Sequence, residues 1–248
     1  MVKKVVISAA GQGTRMLELS KEKSKHLISV KERPFLAYLL DNILEAGYKE
    51  IILVVGFRED MIRGFLKDYK FNGNDYKIEI VSQFDILGPK EKEYGTACPI
   101  KCVKDLIGSE NFISLCGDNF YTVEDLKLIN VDDEFNYVAG ILNDKPENFG
   151  VLVEEDGFLK EIIEKPEEFV GNLINTSLYK FTPEIFEKVF EIEKSSRGEY
   201  EITDAISLLA KEKKVKIKKI KDYWMDFGRP DDIKKFEDYL KVSKNTNK

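Results

Sequence analysis

A short apolar run, Val5-Val6-Ile7-Ser8-Ala9-Ala10, ends in Gly11-Gln12-Gly13-Thr14-Arg15. The run reads as a buried parallel strand. A strand that stops in glycines at its carboxyl edge is where open α/β sheets bind ligands. Glycine lets the backbone close on a phosphate and aim amide hydrogens at it. Thr14 adds a hydroxyl, and Arg15 adds a planar fork that is always charged. Lys25, ten residues on, can bring a point charge to the same anion. Glycine-x-glycine alone is commonly a plain turn. With Thr14, Arg15 and Lys25 attached, the set reads as a triphosphate site. It is not a dinucleotide fingerprint, because Met16 stands where the third glycine and a helix are needed, and it is not a Walker loop, because Gly-Lys-Ser/Thr is missing.

Two other stretches place charge at strand ends. Gly117-Asp118 follows the apolar segment 111–116, and Glu164-Lys165-Pro166 follows the segment 158–164. A carboxylate over a sheet edge suits Mg²⁺, which takes a few carboxylates plus phosphate oxygens, although a lone aspartate there is also an ordinary loop residue. By itself Glu164-Lys165-Pro166 reads as a solvated strand end, where a carboxylate can accept hydroxyl protons and a neighbouring lysine can neutralise a phosphomonoester. Alternation sends Glu164 and Lys165 to opposite faces of an ideal strand, so Pro166 or a bend must aim both inward.

The elements that must position these groups follow from periodicity. Pro34 opens a helix through Phe35, Leu36, Leu39, Leu40, Ile43 and Leu44, and Gly47 stops it. Glu50 to Val55 is a strand, Met61 to Tyr69 a helix and Tyr76 to Val81 a strand. This order implies a parallel sheet with helices on its faces. Ser82 to Tyr94 is a loop by composition, and Gly95-Thr96-Ala97 opens a helix running through Leu106. Beyond Phe135 the strands come in pairs, at 137–142, 150–154 and 158–164, with Asp156-Gly157 as a hairpin turn. A strand at 173–181, helices at 183–192 and 203–213, a lysine-rich edge strand at 215–220 and a closing helix at 230–242 complete the chain. Thr203 suits a helix N-cap.

Composition narrows the function classes. The chain has 248 residues, 43% of them hydrophobic, enough for one large α/β domain or two small ones. A net charge of −6 argues against a nucleic-acid or anionic-membrane surface. Cys98, Cys102 and Cys116 form an odd set and read as reduced, buried thiols; with His26 the only histidine, a zinc site lacks ligands. The apolar run after Met1-Val2-Lys3-Lys4 is too short for a signal peptide, and no stretch has the length of a membrane span. A soluble, cytoplasmic protein is expected.

From Ala9 to Gly228 the ordered motifs resemble the sugar-1-phosphate nucleotidylyltransferases. The match comprises Ala9 to Arg15, the segment Ser24 to Val30 (with Ser24 and Ser29 where the family carries proline), Gly117-Asp118, Asn148-Phe149-Gly150, Glu164-Lys165-Pro166, Asn175-Thr176-Ser177, Arg197-Gly198-Glu199, Ile202-Thr203-Asp204 and Trp224-Met225-Asp226-Phe227-Gly228. Ser177 replaces the family's glycine. The resemblance implies a three-layer α/β/α sandwich with a mixed, mostly parallel sheet, Rossmann-like and of the nucleotide-diphospho-sugar transferase type. It implies nucleotide contacts from Ala10, Gly11, Gly13, Thr14, Arg15, Lys25, Gln83, Gly95 and Thr96, with Leu87-Gly88 a second candidate in a loop longer than the family's. It implies sugar-phosphate contacts from Gly150, Glu164, Lys165, Asn175 and Trp224, and Mg²⁺ held by Asp118 and Asp226. Arg15, Lys25 and Lys165 are the expected catalytic cations.

The expected reaction moves UMP or dTMP from UTP or dTTP to a sugar 1-phosphate, most simply a hexose 1-phosphate, and releases pyrophosphate. The amide of Gln83 motivates the pyrimidine. A nucleotidyltransferase for a non-sugar phosphate and a non-catalytic nucleotide-sugar sensor are the alternatives. A metal-dependent glycosyltransferase fits less well, since Gly117-Asp118-Asn119 lacks a second aspartate. The expected organisation is a single domain over 1–242 with a polar tail at 243–248 and no hexapeptide-repeat β-helix domain. A homo-oligomer is compatible with the sequence.

Overall fold

The computed structural model describes residues 1–20, 23–71 and 75–246. Strand β1 (Lys4–Ala9) is the axis of the molecule. Val5, Ile7 and Ala9 enter one hydrophobic core, while Val6 enters another on the opposite face. Burial on both faces is what its unbroken apolar run requires. Two short pairing segments follow, β2 (Ser29–Val30) and β3 (Arg33–Pro34), then helix α1 (Phe35–Glu45). Strand β4 (Glu50–Val55), helix α2 (Glu59–Asp68) and strand β5 (Lys77–Ser82) repeat the pattern. Helix α3 (Gln83–Leu87) and the short helices α4 (Cys98–Lys101) and α5 (Lys104–Ile107) lead to β6 (Phe112–Cys116).

Beyond β6 lie β7 (Asn119–Tyr121), α6 (Val123–Leu128) and β8 (Asn136–Leu142). The hairpin β9 (Gly150–Glu155) and β10 (Phe158–Glu164) precedes the long strand β11 (Leu173–Phe181). Helices α7 (Ile185–Glu191) and α8 (Ile202–Lys211), strands β12 (Val215–Lys219) and β13 (Trp224–Asp226), and helix α9 (Asp231–Thr246) close the chain.

The central sheet is mixed. β1 runs parallel to β4 on one side and to β6 on the other, and β5 runs parallel to β4. β11 is antiparallel to β6 and to β8, and β12 is parallel to β8 at the edge. The β9–β10 hairpin joins through Ile174 of β11 opposite Val151 of β9. Helices α1, α2 and α6 cover one face through Leu36, Leu40, Ile62 and Leu126. Helices α4, α7 and α8 cover the other through Ile100, Val189, Ala205 and Leu209. This is the three-layer α/β/α arrangement expected.

A third, smaller core decides where the site forms. Met16, Phe35, Phe120, Met225, Phe227 and Phe236 are all buried together. The rings of Phe35 and Phe227 stack at 4.2 Å. This cluster ties the segment after the glycine loop to β7, β13 and α9, and so carries Asp226 to the carboxyl edge of β1.

Several local readings change. Residues 82–94 are not loop throughout: Ser82 caps α3 by accepting from the Asp85 amide at 3.4 Å. The expected helix from Gly95 to Leu106 is broken between α4 and α5, where Val103 leaves helical geometry at φ −109°, ψ 4°. Helix α6, capped by Thr122 accepting from the Asp125 amide at 3.3 Å, was not expected from periodicity. Helix α9 continues past Val242 to Thr246, with no glycine or proline to stop it. Thr203 is not an N-cap, because it lies inside α8. Thr96 serves there instead, accepting from the Ile202 amide at 2.8 Å and donating to Glu201 at 3.1 Å.

Thr96 reaches Ile202 because the two backbones touch. Gly95 sits at φ +134°, and a Cβ there would overlap the carbonyl oxygen and amide nitrogen of Tyr200. Gly95→Ala should therefore destabilise the protein by more than about 2 kcal/mol, since neither the conformation nor the space accepts a side chain. Urea unfolding of the two proteins checks this; equal midpoints would refute the close approach.

Candidate active site

The glycine loop leaves β1 and turns under Lys25. Gly13 stands at φ +66°, and a Cβ there would come within 2.9 Å of the Lys25 Cβ and Cδ. Only glycine allows both the turn and the passage of the lysine stem. The Gly13 carbonyl is fixed by the Met16 amide at 2.9 Å and by the Ser20 hydroxyl at 2.8 Å. The Thr14 hydroxyl lies outside the described side chains. Ala10 is buried, and its carbonyl accepts from the Phe57 amide at 3.3 Å.

Two cation–carboxylate pairs stand at this edge. The Lys25 ammonium donates to Asp118, and both side chains are largely buried, at 13% and 12% exposure. Arg15 donates to Asp226 across 3.4 Å, with the guanidinium mostly in solvent. The two aspartates are held side by side by backbone. Asp226 of β13 pairs with Asn119 of β7, and the Phe227 amide donates to the Asp118 carbonyl at 2.8 Å.

Burial pushes the Asp118 carboxyl up, but the charge and hydrogen bond of Lys25, together with neighbouring donors, outweigh it and hold the carboxyl below the ordinary carboxylate range. Asp226 goes the other way: burial, then the negative charge of Asp118, raise it above the ordinary carboxylate range. Burial opposes the charge on Lys25, and Asp118 more than restores it, so the ammonium stays protonated. Divergent acidities in neighbouring carboxylates mark a functional site.

His26 is buried against the same loop. Its Nδ1 lies 3.0 Å from the Ser24 hydroxyl. Burial, with Lys25 adjoining, lowers the imidazole to about 3, so it is neutral at ordinary pH. Cys116 ends β6 nearby, and burial with Asp118 raises its thiol to about 12. Cys98, Cys102 and Cys116 are all free thiols; the first two are buried and Cys116 half-buried.

The second half of the site lies on β9, β10, β11 and β13. Glu164 sits over Gly150, its Oε2 3.0 Å from where a Cβ would be, with Asn175 also facing that glycine. Asn175 donates to the Tyr179 hydroxyl at 2.9 Å and accepts from the Ser177 amide at 3.0 Å. Trp224 donates to the Thr176 carbonyl at 3.2 Å and meets Phe149 edge-on at 5.5 Å. Ser177 adopts φ +57° inside an irregularity of β11, between Asn175 and Tyr179. That conformation favours the glycine the family carries there.

Lys165 takes φ +46°, so the chain bends at this residue. Its amide donates to the Phe149 carbonyl at 3.0 Å, and its side chain is exposed. Among the described residues no carboxylate pairs with its ammonium. The structure thus brings Arg15, Lys25, Asp118 and Asp226 into one cluster. It gathers Gly150, Glu164, Asn175 and Trp224 into an adjoining wall, with Lys165 at its rim.

The residues expected at the base, Gln83, Gly95 and Thr96, lie on the segment that leads from β5 to α4. Gln83 is buried at 1% exposure, and its amide oxygen has no hydrogen-bond partner. Gly95 and Thr96 are engaged with Tyr200, Glu201 and Ile202, so they build the loop that passes the site. Sequence reasoning missed Lys90 and Tyr94. The Lys90 ammonium donates to Gln12 at 3.2 Å and lies 4.6 Å from the centre of the Tyr94 ring. Their signal, a basic and aromatic pair in the lengthened loop, was visible, but nothing in the pattern pointed it at the glycine loop.

A sequence profile of the nucleotidyl transferase family matches residues 4–242. The chain belongs to that family. It is 32% identical over 236 residues to the low-salt glycan biosynthesis nucleotidyltransferase Agl11 of Haloferax volcanii, covering 93% of this chain and 64% of the relative. It is 34% identical over 244 residues to the bifunctional protein GlmU of Methanocaldococcus jannaschii, covering 98% of this chain and 55% of that one. It thus spans between half and two thirds of these two relatives. With the UTP–glucose-1-phosphate uridylyltransferase AglF of H. volcanii it shares 31% identity over 242 residues, 95% of both chains. A UDP-glucose pyrophosphorylase complexed with UDP-glucose superposes with a TM-score of 0.79 at 23% identity, covering 98% of this chain and all of that one. A UTP-bound UGPase from Acinetobacter baumannii gives 0.77 at 20% identity, covering 97% and 93%. At these identities the likeness concerns the fold.

The single histidine offers a direct check on the buried pair. His26 should show no titration of its ring protons by NMR between pH 8 and pH 5, because its folded value lies near 3. Unfolded chain binds a proton near 6.5, so stability contributed by the neutral ring is complete above that value and falls as pH drops toward 3. A ring titrating near pH 6.5 in the folded protein would contradict this placement.

Proposed function

We propose that this protein transfers a nucleotidyl group from a nucleoside triphosphate to a sugar 1-phosphate, releasing pyrophosphate. The observation that carries the reading is the pairing of Lys25 with Asp118 and Arg15 with Asp226 beside a glycine loop at the carboxyl edge of the sheet. Family membership supports it, as do relatives named for uridylyl transfer to glucose 1-phosphate.

The chain's own groups favour direct displacement. An oxygen of the sugar phosphate attacks the α-phosphorus; the bond from that phosphorus to the bridging oxygen breaks, and pyrophosphate leaves. A covalent enzyme intermediate needs an activated nucleophile. The Cys116 thiol is held neutral by burial, and His26 is neutral and engaged with Ser24. What remains is positioning and charge neutralisation. The glycine-loop amides, Arg15 and Lys25 hold the triphosphate. Lys165 holds the phosphate of the nucleophile, while Glu164, Asn175 and the Gly150 backbone bind sugar hydroxyls against Trp224.

The donor chemistry fits Mg²⁺. Asp118 and Asp226 are two adjoining carboxylates with positive charge already beside each. Among the described residues no group of three or more histidine, cysteine or acidic side chains forms a closed metal site. Two carboxylates with open positions suit a magnesium ion that completes its shell with water and phosphate oxygens. When bound, the ion would supply positive charge to those oxygens.

Gln83, buried with an unpartnered amide oxygen, is assigned to a pyrimidine base, and the donor to UTP or dTTP; a hexose 1-phosphate is the acceptor. The catalytic unit is taken as one domain over 1–242. Among the described residues no helix is long and apolar enough to cross a membrane, and three free thiols suit the cytoplasm.

Pyrophosphate release from a panel of triphosphates and sugar 1-phosphates tests the reading. UTP or dTTP with a hexose 1-phosphate should give turnover that a chelator abolishes. Faster turnover with GTP or ATP would refute the role of Gln83. Asp118→Asn should lose about 2–4 kcal/mol of transition-state stabilisation, the scale of one electrostatic contributor. Undiminished turnover in a protein carrying asparagine at both 118 and 226 would sink the carboxylate assignment.

The two basic sites should separate. Lys165→Ala should raise KM for the sugar phosphate and slow turnover, because a misplaced nucleophile loses its orientation. Its calorimetric affinity for triphosphate alone should stay close to that of the parent. Arg15→Ala should weaken the triphosphate instead. A Lys165→Ala protein with lost triphosphate binding and a normal KM for sugar phosphate would show the roles reversed.

A further inference from the structure

The segment between α3 and α4 carries a cation that the roles above leave unused. Lys90 is half-buried, donates to the Gln12 side chain at 3.2 Å and lies 4.6 Å from the Tyr94 ring centroid. Gln12 stands between the two glycines of the loop. The Tyr94 hydroxyl and the Lys25 ammonium lie 3.8 and 3.9 Å from the position of a Cβ on Gly11, so they converge on the same backbone. No carboxylate pairs with Lys90 among the described residues. Lys25 and Arg15, by contrast, are each already paired with an aspartate.

The segment is anchored, which fixes where Lys90 points. The Lys92 amide donates to the Pro89 carbonyl at 2.9 Å, forming a turn. Glu93 is held by Lys101 at 3.1 Å, and that ammonium lies 3.8 Å from the Tyr200 ring centroid. The Tyr94 carbonyl accepts from the Tyr200 amide at 2.9 Å, directly before the close approach at Gly95. Lys101 thus engages Glu93, and Glu91, the other acidic side chain of the turn, is exposed.

We propose that Lys90 is a third triphosphate-binding cation, delivered to the glycine loop by the lengthened segment and steered by the ring of Tyr94. This rests on the nucleotidyl-transfer reading and adds a residue to its nucleotide side. An ammonium on an aromatic face retains its charge and stays close to its binding direction. It meets a phosphate oxygen as a point charge, and the neutral Gln12 amide is a weaker partner than a phosphate oxygen. Lys90 touches the substrate before and during reaction, so its loss is felt in binding of the triphosphate.

The test is calorimetric titration of the full chain with UTP and Mg²⁺, beside steady-state kinetics in glucose 1-phosphate. Lys90→Ala should weaken UTP about tenfold, the scale of one charge-assisted hydrogen bond. It should leave KM for glucose 1-phosphate within about twofold, a margin small against one lost contact. Lys90→Arg should restore most of the affinity, which a purely structural role would not require. The dependence of UTP binding on sodium chloride should be shallower in Lys90→Ala, since one cation facing the anion is gone. UTP affinity and salt dependence in Lys90→Ala equal to the parent overturn the assignment of Lys90 alone. A parent protein that takes up neither UTP nor any other nucleoside triphosphate at millimolar concentration overturns the nucleotidyl-transfer reading itself.

Discussion

The site rests on the buried contact between Lys25 and Asp118. A charge taken out of water is costly, and each of these two is tolerable only because the other is there. The pair demands a lysine stem threaded beneath the glycine loop, hence Gly13 with no side chain and a left-handed turn. It demands an aspartate just past β6, and Asp118 stands two residues beyond the end of that strand at Cys116. It also fixes the neighbours: His26 stays neutral beside the ammonium, and Asp226, next to an ionised Asp118, is pushed toward its protonated form. Removing either partner would leave an unpaired buried charge and disturb all four groups.

Around that contact the molecule divides its labour by strand. The parallel half of the sheet, β5-β4-β1-β6, carries the glycine loop and Asp118 at one carboxyl edge. The antiparallel half, with the β9–β10 hairpin and β11, carries Gly150, Glu164 and Asn175. The small aromatic core of Phe35, Phe120, Phe227 and Phe236 ties the segment after the glycine loop to β7, β13 and α9 and delivers Asp226. The site proposed for two phosphorylated substrates thus lies where the sheet changes direction, with Arg15 and Lys25 on one side and Lys165 on the other.

Much of this was legible in the sequence because it is written in local pattern. The apolar runs of β1 and β4, the Asp156-Gly157 turn and the edge lysines of β12 each follow from one physical rule applied to a few residues. The meeting of Asp118 with Asp226 was legible only through the family resemblance. The two are far apart in the chain, and pairing of β7 with β13 has no periodic signal in strands three residues long. The capping of α8 by Thr96 and the reach of Lys90 to Gln12 were illegible for the same reason: each depends on a long-range backbone approach, at Gly95 against Tyr200, that composition does not announce. Ser177 is a partial case, since its departure from the family's glycine was visible and its left-handed backbone was not.

The central claim is a single in-line displacement at the α-phosphorus, assisted by fixed charge and not by a covalent intermediate. The stereochemical course tests it most directly, using UTP made chiral at that phosphorus by sulfur substitution and analysing the nucleotide-sugar product by phosphorus NMR. Inversion of configuration is the predicted result. Retention, the mark of two successive displacements through a nucleotidyl-enzyme, would contradict the account and require a nucleophile that neither Cys116 nor His26 supplies as placed here.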